Sequence, residues 1–330
     1  MWASSLQRLL CVGILSLLVG ACTATKEEHR LFDEATYKQI VERQKAGLAI
    51  DEEPPAKLPE MGEGEYERLG DSYFQQGNFP VALLQYNKAL EADPGRVLVR
   101  FKLGLVFLKQ RQFDAASTQF QEMLKLDPKS ALAYEGIGQA QLLMGRDHNA
   151  EQALRQAIAL DPKRWQAHNL LGVFYDRQKQ YRQAIAEFQT ALELEASESA
   201  LYNNLGMAYY LDGQYEAAVD AFQRSLLARS SQPKVYNNLG LAYGKLGRYD
   251  EALEAFKKAT DESQAYNNLG VVYFGSGKPH QAVACFEKAI ELSPRYYKTA
   301  VENLRLAQRA LANQSSLNGK PGEDGARACP

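Results

Sequence analysis

A Leu-Gly or Ile-Gly pair returns at Gly70, Gly104, Gly138, Gly172, Gly206, Gly240 and Gly270, in five steps of 34 residues and a last step of 30. A fixed period of this length is the mark of a tandem array, in which one supersecondary unit cannot bury its apolar face alone and stacks on its neighbours. Twelve residues after each glycine stands an alanine: Ala82, Ala116, Ala150, Ala184, Ala218, Ala252 and Ala282. Sixteen after it stands Tyr86, Phe120, Leu154, Phe188, Phe222, Phe256 or Phe286. Tyr66, Tyr134, Tyr202, Tyr236 and Tyr266 precede the glycine by four. A residue without Cβ facing a single methyl lets two helix axes approach, and the bulky side chains fill the space beside them.

Three further positions support paired helices. Tyr73, Phe107, Tyr175, Tyr209, Tyr243 and Tyr273, three after the glycine, share a helical face with Leu69 and its equivalents one turn earlier. Pro94, Pro128, Pro162 and Pro294 mark repeat ends, because proline disfavours helix in the residue before it. Gly77, Gly145, Gly213, Gly247 and Gly277 suit a left-handed stop between the two helices. The third unit departs most, with Gln141 and Leu154 where the others carry aromatic residues, and is expected to be the softest joint. The 30-residue step lacks about one helical turn, so the apolar faces stay in phase while one helix or its loop shortens, with a local change of curvature.

This pattern resembles the tetratricopeptide repeat. The resemblance covers residues 63–296 and implies an all-α fold, a right-handed solenoid of helix-turn-helix repeats: 63–96, 97–130, 131–164, 165–198, 199–232, 233–262 and 263–296. A helix over 297–312, with Tyr297, Ala300, Val301, Leu304, Ala307 and Leu311 on one face, is expected to cap the last repeat. Residues 313–330, rich in Ser, Gly, Asn and Pro, are expected to be disordered.

The N-terminus carries an address. Arg8 precedes a mostly apolar run from Leu9 to Val19, followed by Val19-Gly20-Ala21-Cys22. This resembles a bacterial lipobox, which implies a signal peptide over 1–21, cleavage after Ala21 and lipidation of Cys22. Thr23 in place of aspartate resembles lipoproteins sorted to the outer membrane, facing the periplasm. The apolar run is short for a transmembrane helix, whereas several acyl chains on one residue hold firmly. Residues 22–62 read as a lipidated, acidic and Pro-rich tether, with Asp51-Glu52-Glu53-Pro54-Pro55 at its far end and room for a short helix between Leu31 and Ala46. A disulfide between Cys285 and Cys329 is compatible with an oxidising periplasm. The favoured expectation is a small buried Cys285 and a free Cys329.

Charge and motifs narrow the function. A formal charge of −2 gives no electrostatic footprint for nucleic acid. His29, His148, His168 and His280 are scattered, without Cys-x-x-Cys, His-Glu-x-x-His or a phosphate-binding glycine loop, so no catalytic residue, metal site or cofactor is assigned. The chain reads as a binding protein and not an enzyme.

The run Tyr-Asn-Asn-Leu-Gly recurs in three consecutive repeats, giving Asn203-Asn204, Asn237-Asn238 and Asn267-Asn268. In the tetratricopeptide family the first helix of each repeat lines a concave groove. The resemblance therefore implies an asparagine ladder through Asn204, Asn238 and Asn268 that holds a peptide backbone, since a primary amide both donates and accepts. Met207, Tyr210, Leu241, Val271 and Phe274 supply apolar and aromatic surface on the same helices. The opposing reading is that these amides merely solvate a polar face or bond within their own repeat. The lysine and asparagine clamp of chaperone-binding members is not matched, because Asn169 is followed by Val173 and Asn203 by Met207.

By its layout the chain resembles the lipoproteins of Tad (Flp) pilus assembly and, less closely, the pilotins of type IV pilus secretins. This implies an outer-membrane scaffold binding a protein segment, a secretin or pilus component, with the lipid as its membrane contact. An adaptor that docks murein hydrolases or a protease is the alternative. The sequence leaves the oligomeric state open.

Overall fold

The structure is a computed structural model that describes residues 63–228, 232–293, 295, 297–318 and 329–330. The signal peptide and tether, Cys22 included, lie outside the described residues, as do Pro294 and most of the C-terminal tail. Among the described residues there are fifteen helices and no strand. The first fourteen alternate as first and second helices of seven pairs: α1 Glu63–Gln75, α2 Phe79–Ala92, α3 Val97–Lys109, α4 Phe113–Leu126, α5 Ala131–Met144, α6 Asp147–Leu160, α7 Trp165–Arg177, α8 Tyr181–Leu194, α9 Ser199–Leu211, α10 Tyr215–Ala228, α11 Pro233–Lys245, α12 Tyr249–Ala259, α13 Glu262–Gly275 and α14 Pro279–Leu292. The last, α15, spans Lys298–Asn318. Each helix packs on the one before and the one after it. From α3 to α15 the first helices also touch their counterparts in neighbouring pairs, more closely than the second helices do. The first helices therefore line the inner side of the array.

The periodic residues make the contact that the spacing requires. A Cβ on Gly70, Gly104, Gly172, Gly206, Gly240 or Gly270 would sit 2.3–2.6 Å from a ring carbon of Tyr86, Phe120, Phe188, Phe222, Phe256 or Phe286. No real Cβ survives such a distance, so glycine is what lets the ring of the second helix lie flat on the first. The alanines Ala82 to Ala282 are fully buried in the same seam. In the third pair Leu154 takes the place of the ring against Gly138, and Gln141 is buried with its Oε1 lacking a hydrogen-bond partner. Gln85 and Gln119 in the first two pairs carry the same unpartnered Oε1, so this atom does not by itself single out the third pair.

The turns follow from local chemistry. Gly77, Gly145, Gly213, Gly247 and Gly277 all have φ between +73° and +84°. In the second and fourth pairs the same stop is made by Arg111 and Lys179, at φ of 61° and 60°, where a Cβ is strained. Arg111→Gly and Lys179→Gly are each expected to stabilise the array by about 0.5–1 kcal/mol, since relief of left-handed strain exceeds glycine's added freedom in the unfolded chain. Chemical denaturation of the single and double variants measures this, and lower stability would contradict it. Between repeats, Asp93, Asp127 and Asp161 precede Pro94, Pro128 and Pro162, and each carboxylate accepts from the backbone N–H two residues on, in Gly95, Lys129 and Lys163.

The 30-residue step shortens a helix. Helix α12 has 11 residues where the other second helices have 14. Asp261 then caps α13 by accepting from Gln264 N–H at 2.8 Å, in place of an Asp-Pro turn. Close to one turn is removed, so α13 keeps its rotational phase and Gly270 still meets Phe286.

The C-terminal end departs from expectation in two ways. Ala300 and Ala307 of α15 are fully buried against the last pair, but the helix continues past residue 312 to Asn318. Residues 313–318 contain no proline or glycine, and the first helix breaker is Gly319. The cysteines are also paired, contrary to the expectation of a free Cys329. Cys285, fully buried in α14, forms a disulfide with Cys329 across a Cα–Cα distance of 5.2 Å. A pairing between cysteines 44 residues apart carries no local sequence signal, so spacing alone does not choose between a paired and a free Cys329.

Candidate interaction surface

The asparagines form a ladder, though not the one expected. Asn204 Nδ2 donates to Asn169 Oδ1 at 3.0 Å, Asn238 Nδ2 to Asn203 Oδ1 at 3.0 Å, and Asn268 Nδ2 to Asn237 Oδ1 at 3.2 Å. Asn303 on α15 donates to Asn267 Oδ1 at 3.0 Å and closes the series. Each rung joins one first helix to the next, so the amides couple repeats to one another. The second Asn of each pair gives one Nδ2–H to the first Asn of the preceding repeat. Asn203, Asn238 and Asn267 are buried, Asn238 to 1% exposure, and Asn238 Oδ1 has no partner. These three cannot meet a ligand directly. Asn204, Asn237 and Asn268 are half-buried at the edge of the surface.

The signal for this arrangement is present in the sequence. Donor and acceptor are 35 residues apart, one more than the repeat, so adjacent asparagines in a 34-residue period place unlike members of each pair side by side. Across the shortened repeat the separation is 31, and the rung persists. Charged residues make the corresponding rung at the N-terminal end, where Lys102 Nζ donates to Glu67 Oε1 and to Asp71 Oδ2, both at 2.7 Å. Arg96 also reaches Glu67 at 2.6 Å. Tyr86 donates its hydroxyl proton to Asp71, and burial raises its pKa well above the usual phenolic range. These carboxylates and cations are paired with each other and are not poised for catalysis.

What the ladder leaves open to solvent is apolar. Val271 and Phe274 on α13 are 36% and 38% exposed, and Met207 and Tyr210 on α9 and Leu241 on α11 are half-buried in the same register. Met207, Leu241 and Val271 each follow their repeat's glycine directly, so the three form a line along the inner side of α9, α11 and α13. Tyr210 and Phe274 stand three residues further, and Gly244 lies between them in register. A Cβ on Gly244 would come within 2.3 Å of Val272 Cγ1, so this glycine serves the close approach of α11 and α13. Burial pushes the Tyr210 hydroxyl up to about 12, and its ring packs edge-on against Tyr215 at 5.5 Å between centroids. A line of apolar and aromatic side chains edged by amides, on a rigid inner face, has the composition of a protein-binding surface.

The fourth pair interrupts this surface with charge. Asp176 on α7 has a buried Oδ1 without a partner, and burial pushes its pKa up to about 6. His168 is held inside the array, with Nδ1 2.7 Å from Glu187 Oε2 and Nε2 3.2 Å from the Pro162 carbonyl. The bond to Glu187 raises its pKa. Its stabilising contribution is therefore complete below the ordinary imidazole pKa and lost as pH rises through the raised value. Among the described residues no group of three or more His, Cys, Asp or Glu side chains could hold a metal ion, and no helix is long and apolar enough to cross a membrane.

With this geometry in hand, comparisons with known proteins place the chain. No curated protein matches it significantly. Solved structures do, and a chain of the APC/C hetero-tetramer Cut9–Hcn1 aligns with a TM-score of 0.56 at 21% identity, over 73% of this chain and 48% of that one. The chain thus spans about half the length of that relative. The pilF protein of Pseudomonas aeruginosa aligns at 0.51 and 20% identity, over 65% of this chain and 97% of its own. The C-terminal part of a TPR repeat-containing protein from Cytophaga hutchinsonii aligns at 0.52 and 18%, over 72% and 98%. At these identities the likeness is one of fold. Residues 33–267 match the family model described as the Cilia and flagella-associated protein 70 C-terminal domain, and residues 263–296 match the tetratricopeptide repeat. Matched over most of its length, the chain belongs to the tetratricopeptide-repeat family represented by that C-terminal domain, a family of protein-interaction scaffolds.

Proposed function

We propose that this protein is a non-enzymatic scaffold, lipid-anchored at Cys22 to the periplasmic side of a bacterial outer membrane, that holds a segment of a pilus or secretion machine during assembly. The observation that carries the binding role is the line of Met207, Leu241 and Val271 with Tyr210 and Phe274, on the inner face of three rigidly coupled repeats. The rungs fix the spacing of α9, α11 and α13, so the surface is preorganised and loses little freedom when a partner binds. The location rests on the apolar run ending in Val19-Gly20-Ala21-Cys22, and the choice of machine rests on the layout of lipobox, acidic tether, repeats and capping helix.

Cys22→Ser tests the anchor. Wild-type protein is expected in the outer-membrane fraction with metabolically incorporated fatty acid, and the variant in neither. Equal membrane association of the variant, or a wild type that carries no acyl label, would overturn this part of the proposal.

A further inference from the structure

We propose a second docking surface, on the side of the second helices, that takes a protein segment presenting a bulky apolar side chain beside lysine or arginine. It is a cleft of about 660 Å³ between α10, α11 and α12, within the range of volumes that ligand sites occupy. Leu226 and Leu227 at the end of α10 form one wall, and Tyr236 and Leu239 of α11 lie along its floor. Asp250, Glu251, Glu254, Ala255 and Lys258 of α12 form the other wall.

Leu227 is the residue that does not fit a purely structural account. It is 87% exposed, the most exposed of the large apolar side chains described. At the corresponding register of the other second helices stand Glu91, Lys125, Ala159, Glu193 and Glu291, so the position faces solvent throughout the array. Among these six helices only α10 carries a leucine there, and the cleft lies beside it. Scattered exposed leucines need no explanation, but one that walls an apolar cleft is the arrangement of an interaction site.

Charge selects the occupant. Among the described residues, Asp250, Glu251 and Glu254 line the cleft with one cation, Lys258, which sits over the Tyr236 ring at 5.7 Å. Glu251 is engaged by Arg248 outside the cleft, and all three carboxylates are exposed. An apolar floor under a net negative rim favours a basic apolar segment and repels an acidic one. The cleft and the line of Met207, Leu241 and Val271 share no residue, so each surface can be altered separately.

The test uses the full chain purified in detergent and a fluorescein-labelled peptide of sequence Lys-Leu-Leu-Lys-Lys-Leu-Leu-Lys, followed by fluorescence anisotropy. Leu227→Glu installs the residue that three other repeats carry at this register, and is expected to weaken binding about tenfold or more. Leu84→Glu, the same change at an exposed leucine of α2, is expected to leave affinity within about twofold, and a peptide with Glu for every Lys is expected not to bind. Equal losses in the two variants, no loss in Leu227→Glu, or binding of the acidic peptide would overturn the proposal. Sedimentation velocity on the same samples addresses the competing occupant: wild-type self-association that Leu227→Glu abolishes, without peptide binding, would assign the cleft to a second copy of the chain.

Discussion

Gly206→Ala is expected to destabilise the array by about 2–3 kcal/mol, at the upper end of overpacking costs. The added methyl would sit 2.6 Å from Phe222 Cε1 and 2.7 Å from Cδ1. Phe222 is itself fully buried in the continuous core of the fifth to seventh pairs, so its ring has no free space to turn into. The helices must separate, and separation loosens the seam lined by Ala218 and its equivalents. Because the cost arises from one clash, Phe222→Ala in the same chain is expected to recover part of it, whereas Phe222→Leu is not, since Leu154 lies 2.6 Å from the place of a Cβ on Gly138. The double variant should be more stable than the sum of the single effects by about 1 kcal/mol, as contacting residues commonly show. Urea unfolding of the three variants gives the cycle. A Gly206→Ala protein as stable as the wild type, or strict additivity, would mean that close approach is not what the glycine provides.

Asn203→Ala is expected to cost about 2 kcal/mol, because it leaves the buried Asn238 amide without the acceptor it uses and with an Oδ1 that already lacks a partner. Replacing both residues by leucine removes donor and acceptor together and is expected to restore most of the loss. Asn204→Ala should cost less, since its rung to Asn169 is only half-buried and water can take over. If Asn203→Ala proved neutral while Asn204→Ala was severe, the amides would not be serving as inter-repeat rungs. The ladder also changes how the binding surface should be probed. Replacing Asn204, Asn238 and Asn268 by alanine breaks three rungs at once, so lost binding in that variant would report disordered repeats as readily as lost contacts.

The period of the glycines made the architecture legible before any coordinates, because a Cβ-free position facing a ring is a steric requirement written at a fixed spacing. The helix stops at Gly77 and its equivalents were legible for the same reason, whereas Arg111 and Lys179 were not, since no local rule marks a strained residue that neighbours hold in place. The asparagine pairs are legible as a feature, and the structure gives them an inter-repeat role that the repeat resemblance alone does not imply. The family's concave groove pointed them toward a ligand, while the 35-residue offset between Asn203 and Asn238 pointed them at each other. The pairing of Cys329 is not legible in the sequence, because its partner Cys285 lies 44 residues away and no local pattern links the two. Leu227 becomes conspicuous only when aligned by register with Glu193 and Glu291, and the cleft beside it is lined by three helices together.

The most direct test of the account is a crosslinked pull-down from the native envelope, with captured proteins identified by mass spectrometry, comparing wild type with Val271→Ser/Phe274→Ser. Both positions are more than a third exposed, so the variant should fold as the wild type does, and Leu84→Ser serves as the control on an unrelated surface. The account predicts that a pilus or secretin component is captured by wild type and control and is lost from the double variant. Capture undiminished by the double variant would contradict a binding role for the inner face, and a murein hydrolase or protease in place of the machine component would contradict the assembly role.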